Sequence, residues 1–579
     1  MTPTLSRQVW YGDAVHSKSL TEIEYLTSGL IGVDETGVIA FVERASSADE
    51  IERVLHAKGW TGVEVTRLSK GEFLCPGRIL PSDLPLTGHV LSVIDTHTHA
   101  PQYVNLAFGQ QFELLDWLSN VTFPAEAKFK DAVYARRAYE EVVQRNLNVG
   151  TTSAYANSVP YLRSEPPNRR FFPLRHLTAV CYYGTLHLTT QILAAICHRK
   201  GQRAFVGKCN MDRNSSDDYV EASPSQSLLD TEKYVDFVRS KCCSPIRSTL
   251  ESSESTLNKN DLRSDLVQPI ITPRFAISCS DELLKGLGEM VVKDPSLPIQ
   301  THLSENPTEI EFTKCKSPLF PFISSYTEVY DHFNLLRENT ILAHCVHLED
   351  SEISLIKQRR AGISHCPDSN FNLRSGITPI TTLLDRGIKV SLGTDISGGT
   401  SLGILSTIRT ASFASKTLIF NSRDAKTEDR NLNESIPVPK RQKTNGLETS
   451  FANRHLSIET LFYLATMGGA QVCCVQERIG NFVVGKEFDA LLIGTGQKPL
   501  RESTQYVEGI EDADAQAMEA LSEGIESDFP DASTFGPHLF VEPEDGLQKV
   551  FEKFLFSGDD RNIAKVFVRG RKVGGRDTI

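Results

Sequence analysis

Residues 93–103, VIDTHTHAPQY, set His97 and His99 one residue apart at the end of an apolar run. On a strand, residues i and i+2 project from the same face, so both imidazoles could turn toward one ion. With fifteen histidines in the chain, such a pair decides nothing until further ligands are found. A hydrolytic zinc site needs three or four nitrogen or oxygen ligands and an open position for water. His302 in QTHLSE and Asp395 in LGTD would complete a set of three imidazoles and a carboxylate. An ion there would bring the pKa of its water down to about 7. Glu305 follows His302 by three residues, so it can share that strand mouth and move protons without binding metal. His344, in TILAHC, could steady the attacking hydroxide or the anion formed after attack.

These residues must be held by elements far apart in the chain. Apolar, β-branched runs occur at 93–100, 149–154, 203–208, 268–275, 297–305, 340–348, 361–370 and 389–395. Amphipathic helical stretches such as AVYARRAYEEVVQRN and TTQILAAICHRK lie between them. The alternation predicts an α/β fold, a TIM-like (β/α)8 barrel, with a doubly wound open sheet as the alternative. No GxGxxG follows the first strand, which disfavours a dinucleotide-binding sheet. In a barrel the chemistry sits at the C-terminal strand ends. Those ends carry His97, His99, Arg274, His302 with Glu305, His344, His365 and Asp395.

Residues 29–44 read as two short strands around an Asp-Glu-Thr-Gly turn, and residues 480–494 and 563–575 again read as strands. The expected organisation is a small composite β-sandwich domain from 1–90 and 476–579, beside a barrel over 91–475. The barrel carries insertions near 155–180 and 421–454. A further acidic insertion, 502–545, has thirteen Asp and Glu and no Lys or Arg, and is read as a solvated surface loop. The basic PKRQK within 421–454 is read as a solvated charge run.

A formal net charge of −12 disfavours nucleic acid or an anionic membrane as the main partner. Twelve cysteines without a CxxC suit reduced thiols in a cytosolic protein rather than a disulfide framework. The N-terminus lacks the apolar core of a signal peptide, and no apolar stretch of about 18 residues predicts a membrane span.

Each candidate has an ordinary alternative. His344 and His365 could be hydrogen-bonded structural histidines, Asp395 could cap SGGTS, and Glu305 could be a loop carboxylate. Lys208 could bridge two metals as a carbamate, or serve structure alone. The alternatives weaken jointly, because suitable residues end several separate strands in chain order.

HxH on the first strand, HxxE on the fifth, His on the sixth and Asp on the eighth resemble the amidohydrolase superfamily. The words TFPAEAKF (122–129), ITPRFAISCS (271–280), QTHLSENPTEI (300–310), SHCPDSNFNLRSG (364–376) and LGTDISGG (392–399) resemble its guanine deaminase family. The resemblance implies a single zinc ion per subunit on His97, His99, His302 and Asp395, with HxxE favouring one metal over two. It also implies hydrolysis of guanine to xanthine and ammonia. Glu305 would protonate N3 and then the departing amine, while His344 and Asp395 orient and deprotonate the water. Gln102, Arg274 and Phe275, with His302, Glu305 and Asp395 beside them, would hold the purine. A small-molecule partner, a homodimer and a cytoplasmic location are implied too.

The chemistry of the purine contacts is apt. An amide can donate and accept at a ring edge, a guanidinium suits O6, and an aromatic ring can cover a base. Arg274 equally suits pairing with a nearby carboxylate. Two readings compete: an aminohydrolase for another heterocycle, and an inactive scaffold. The filled ligand and acid/base positions oppose the scaffold. The family words are interrupted twice, at 78–92 and at 155–180, by real insertions or by translated introns. The second interruption falls at the catalytic face.

Overall fold

The structure is a computed structural model of the 579-residue chain. It describes residues 6–68, 72–75, 93–149, 180–242, 266–314, 323–424, 443–444, 447–448, 451, 455–495, 539–542, 544–568 and 571–574. The interruptions at 78–92 and 155–179, the PKRQ of PKRQK and most of the acidic segment lie outside the described residues.

The chain begins with β1 (Gln8–Ser19), β2 (Glu22–Val33) and β3 (Ile39–Arg44), which pair antiparallel in sequence. Between β2 and β3, the Asp34 carboxylate accepts from the Thr36 and Val38 amides at 2.8 and 3.1 Å. Gly37 takes the positive φ of 83° that closes this turn. Strands β4 (Val65–Arg67) and β5 (Glu72–Cys75) both lie parallel to β1.

Ten short strands follow. They are β6 (Asp95–His99), β7 (Val180–Tyr183), β8 (Ala204–Gly207), β9 (Cys209–Asn210), β10 (Val267–Pro269), β11 (Thr272–Pro273), β12 (Ile299–Leu303), β13 (Thr340–His344), β14 (Gly362–His365) and β15 (Lys389–Leu392). One parallel ladder runs β10-β8-β7-β6, another runs β12-β13-β14-β15, and β11 pairs with β9. The ladders meet at both ends. Ile271 bridges Ile299, and the Asp395 amide donates to the His97 carbonyl at 2.9 Å.

Most expected strands fall where the runs placed them. Residues 150–154 lie outside the described residues, and the position between β6 and β8 is taken by β7. The run at 149–154 resembles a strand by composition. The interruption after it separates it from CYY, which pairs with β6 and β8.

A hairpin of β16 (Lys443–Thr444) and β17 (Leu447–Glu448) precedes the last strands, β18 (Ala490–Gly494), β19 (Ile563–Val568) and β20 (Arg571–Gly574). The C-terminal trio joins the N-terminal strands in one mixed sheet, ordered β20-β19-β18-β5-β1-β2-β3. On one face, Val9, Leu30 and Phe41 pack against Ile51 and Leu55 of the helix Ala48–Ala57. On the other, Trp10, Val15 and Phe73 join Phe551 and Phe554 of the helix Leu547–Ser557 in the main core. Each face described is thus covered by a helix, where the sequence suggested a second sheet.

The helices between parallel strands follow from spacing and caps. In Ala132–Asn148, Ala135, Ala138, Tyr139, Val142, Val143 and Asn146 recur at helical spacing and are buried. Asp131 caps its first turn by accepting from the Val133 and Tyr134 amides. Thr190–Lys200 stops at Gly201, whose φ of 66° forms the left-handed cap. Among the described residues, no helix is long and apolar enough to cross a membrane.

Candidate metal centre and active site

His97 and His99 project from one face of β6, and both are almost fully buried. Asp395, three residues past β15, turns back toward them. Its Oδ1 lies 3.1 Å from His97 Nε2 and 3.2 Å from His99 Nε2. His302 on β12 adds its own Nε2, 3.2 Å from that of His99. The donor atoms of these four residues all lie within 4.8 Å of one another.

The donor chemistry fits a cation. Two imidazole nitrogens facing each other at 3.2 Å cannot both carry protons. His302 Nδ1 lies 2.6 Å from the Arg274 carbonyl and donates to it, leaving Nε2 as a lone pair. His97 Nε2 is buried without a hydrogen-bond partner among the described residues. Nitrogens held tetrahedrally at about 2.0–2.1 Å from one ion stand roughly 3.3 Å apart, close to the spacing here. Burial pushes His99 down to about 4 and His302 well below the usual imidazole value, so both are neutral, the form of imidazole that can bind a metal. Burial alone would raise Asp395, but the His97, His99 and His344 imidazoles hold it well below the usual carboxylate range.

Glu305 and His344 stand beside this set. Glu305 Oε2 lies 3.4 Å from His344 Nε2, which is 3.7 Å from Asp395 Oδ2. His344 is oriented from behind: its Nδ1 donates to Asn370 Oδ1 at 2.9 Å, and Asn370 donates to Thr378 at 3.1 Å. Thr378 in turn donates to the His344 carbonyl. The free Nε2 lone pair therefore faces the carboxylates, and burial lowers the ring to about 4. Burial first, then the charges of Asp395 and Glu309, push Glu305 well above the usual carboxyl value. A buried acid that favours its protonated form is suited to delivering protons.

The backbone at this end of the strands is unusual. Ser304, His344, Cys345 and Asp395 are non-glycine residues with φ between 47° and 68°. Such conformations cost about 1–3 kcal/mol each and persist where surrounding contacts enforce them. One enforcing contact is Glu309, whose Oε2 accepts the Glu305 and Asn306 amides at 3.0 and 3.3 Å. Tyr326 donates to its other oxygen at 2.7 Å, and burial pushes the acid up to about 7. Glu309→Leu would leave these donors unsatisfied. The expected cost is about 1–3 kcal/mol, read from urea unfolding. Glu309→Gln, which keeps an acceptor for the amides, should recover most of it; equal losses in both variants would remove this role.

The expected purine contacts meet different neighbours. Arg274 has the carboxylate partner its type allowed: Nη1 and Nη2 donate to Glu126 at 2.6 and 3.1 Å. Gln102 donates to the same carboxylate at 2.9 Å and accepts from the Ser397 amide at 3.0 Å. Phe275 stacks on His302, with ring centroids 4.3 Å apart. Lys208 is paired with Glu221 and donates to the Cys209 carbonyl, a structural role. His365 is buried with neither ring nitrogen bonded among the described residues, and it is outside the ligand set.

Three residues went unmarked in the sequence: Glu126, Asn370 and Glu309. Each lies inside a quoted word, TFPAEAKF, SHCPDSNFNLRSG or QTHLSENPTEI. Position within those words was the available signal.

The amidohydrolase family model matches residues 90–573. The chain is similar to guanine deaminase from Dictyostelium discoideum, with 36% identity across 98% of both chains. It is 33% identical to guanine deaminase from Homo sapiens, over 98% of this chain and 96% of the human one. Among solved structures it resembles guanine deaminase from C. acetobutylicum with bound guanine in the active site. That match has a TM-score of 0.67 and 29% identity, and covers 98% of this chain and 99% of the other.

Proposed function

We propose, from the premise that this chain belongs to the amidohydrolase family and to the guanine deaminases within it, that it hydrolyses guanine to xanthine and ammonia. The observation that carries the reading is the convergence of buried His97, His99, His302 and Asp395 beside Glu305 and His344. A single zinc ion per subunit would be held by those three histidines and Asp395. When bound, it supplies the Lewis acidity that makes water a nucleophile at neutral pH.

The chain's own groups then divide the work. His344 offers Nε2 to the nucleophilic water, and Asp395 Oδ2 lies on the same side to take its proton. Glu305 delivers a proton to ring N3 as water adds at C2. Recharged by the proton Asp395 took from water, it later delivers one to the departing amine. The new C2 hydroxyl gives its proton to Asp395 and so restores the acid for the next cycle. The tetrahedral carbon collapses, ammonia leaves, and guanine plus water becomes xanthine plus ammonia. Arg274 and Gln102 hold the oxo edge of the base, and Phe275 closes the wall behind His302.

The fold reading that goes with this function is a closed (β/α)8 barrel over 91–475, supported by contacts at both seams between the parallel ladders. A composite domain from 1–90 and 476–579 would share the mixed sheet beside it. A homodimer and a cytoplasmic location complete the proposal. Described cysteines that are all free thiols suit that compartment. Sedimentation showing a monomer at working concentration would remove the dimer.

The test is turnover by zinc-replete protein, with adenine, cytosine and S-adenosylhomocysteine as comparison substrates. Guanine should be converted to xanthine with release of ammonia, and the other three should not react. If guanine is untouched while another substrate turns over, the substrate is wrong and only the family stands.

A further inference from the structure

Glu126 lies on the short helix Phe123–Ala127, is fully buried, and touches none of the ligand atoms. Its two oxygens nevertheless organise both groups assigned to the oxo edge of the base. Oε2 takes Arg274 Nη1, while Oε1 takes Arg274 Nη2 and Gln102 Nε2. The Phe123 ring, from the same helix, lies 5.2 Å beneath the guanidinium. Gln102 is pinned from the other side as well, because its Oε1 accepts the Ser397 amide two residues past Asp395.

This bonding fixes which hydrogens remain for a ligand. An ionised carboxylate only accepts, so each group against it must present N–H. Arg274 has donors alone, and its Nε is buried without a partner among the described residues. Gln102 cannot flip its amide without losing the Ser397 N–H and setting its oxygen against the Glu126 carboxylate. With the Gln102 oxygen held toward Ser397, what Arg274 and the Gln102 nitrogen present beside Glu126 is N–H. Burial opposes ionisation of Glu126, yet Arg274 beside it holds the carboxyl below its ordinary value.

We infer that Glu126 is a positioning residue that makes this wall donor-only and thereby sets specificity for a 6-oxo over a 6-amino purine. A carbonyl oxygen and a neighbouring ring nitrogen accept from such a wall; an exocyclic amino group would point donor at donor. The inference rests on the guanine-deaminating reading above and names a determinant of its substrate choice.

The test compares guanine with 2,6-diaminopurine, which keeps the 2-amino leaving group and replaces O6 by an amino group. Sites built around a specific hydrogen bond reject a mismatched analogue by about 10⁴-fold or more in favourable cases. The zinc-loaded protein should prefer guanine by at least about 10²-fold in kcat/KM. In Glu126→Gln the side chain can both donate and accept, so Gln102 is free to flip. The preference should fall at least about tenfold, chiefly through a higher KM for guanine with kcat much less changed. Glu126→Asp, which restores a carboxylate, should recover part of the preference. An unchanged preference in folded, zinc-loaded Glu126→Gln overturns the inference.

If that variant does not fold, the unaltered protein decides by calorimetry with two unreactive ligands. Hypoxanthine should bind far more tightly than adenine, and equal affinities overturn the inference. Failure to turn over guanine at all would instead sink the proposed function, so the two failures are distinct.

Discussion

Glu305→Gln is expected to lower kcat by about 10²–10⁴-fold, the usual contribution of a positioned general acid–base. The substitution is nearly isosteric, and the buried pocket made by His344, Ser375 and the Glu309-held backbone has room for it. What changes is the capacity to carry a proton to the ring and then to the amine. Glu305 contributes no atom to the ligand cluster, so the metal content of the purified variant should match that of the unaltered protein. KM should move little, because the groups assigned to the oxo edge lie elsewhere. Steady-state kinetics with elemental analysis checks both halves. Undiminished turnover would remove Glu305 from the mechanism, and lost metal would make it a ligand.

The second large effect is expected at Asp395. It is the one anion among the four residues proposed as ligands, and its Oδ1 is shared between His97 and His99. With Asn in its place, three neutral imidazoles and a neutral amide remain, and the attraction for a divalent ion falls sharply. Asp395→Asn should purify with little metal and show background turnover.

A thermal readout separates lost binding from lost chemistry. A ligand at a hundred times its Kd stabilises a fold by about 2.7 kcal/mol. Chelation should therefore lower the melting midpoint of the unaltered protein by a few degrees, and zinc should restore it. The Asp395→Asn midpoint should respond to neither. A variant that keeps full metal and the same zinc response would show that the histidines suffice without the carboxylate.

The cluster proposed to bind metal and move protons was legible because its residue types are scarce and their positions are constrained. His97, His99, His302, His344 and Asp395 each lie within three residues of the C-terminal end of a parallel strand, and that regularity survives without coordinates. The second strand was not legible. Residues 149–154 and 180–183 share its composition, and for 180–183 the pairing with β6 and β8, which composition does not reveal, settles the matter.

Arg274 illustrates a different limit. Its type permits both a purine contact and an ion pair, and which occurs depends on a helix 148 residues earlier in the chain. Glu126 itself reads as an ordinary helical carboxylate; burial and two simultaneous partners give it meaning. Asn370 was hidden for the same reason, since its role is to hold the back of an imidazole. The outer sheet was partly legible from β2 and β3 and their turn. The helices gave no sign that they would cover its two opposite faces.

That outer sheet also imposes an order of events on synthesis. Strand β5 lies between β1 and β18, yet β18 is about 400 residues further along the chain, a delay of roughly 20–80 s at ribosomal speed. Until then β5 has an open edge, the kind of edge that recruits other strands. The nascent N-terminus therefore waits, half paired, through the making of the entire catalytic region. A chain that stopped short of β18 would leave the waiting edge open for good, with His97, His99, His302 and Asp395 already made.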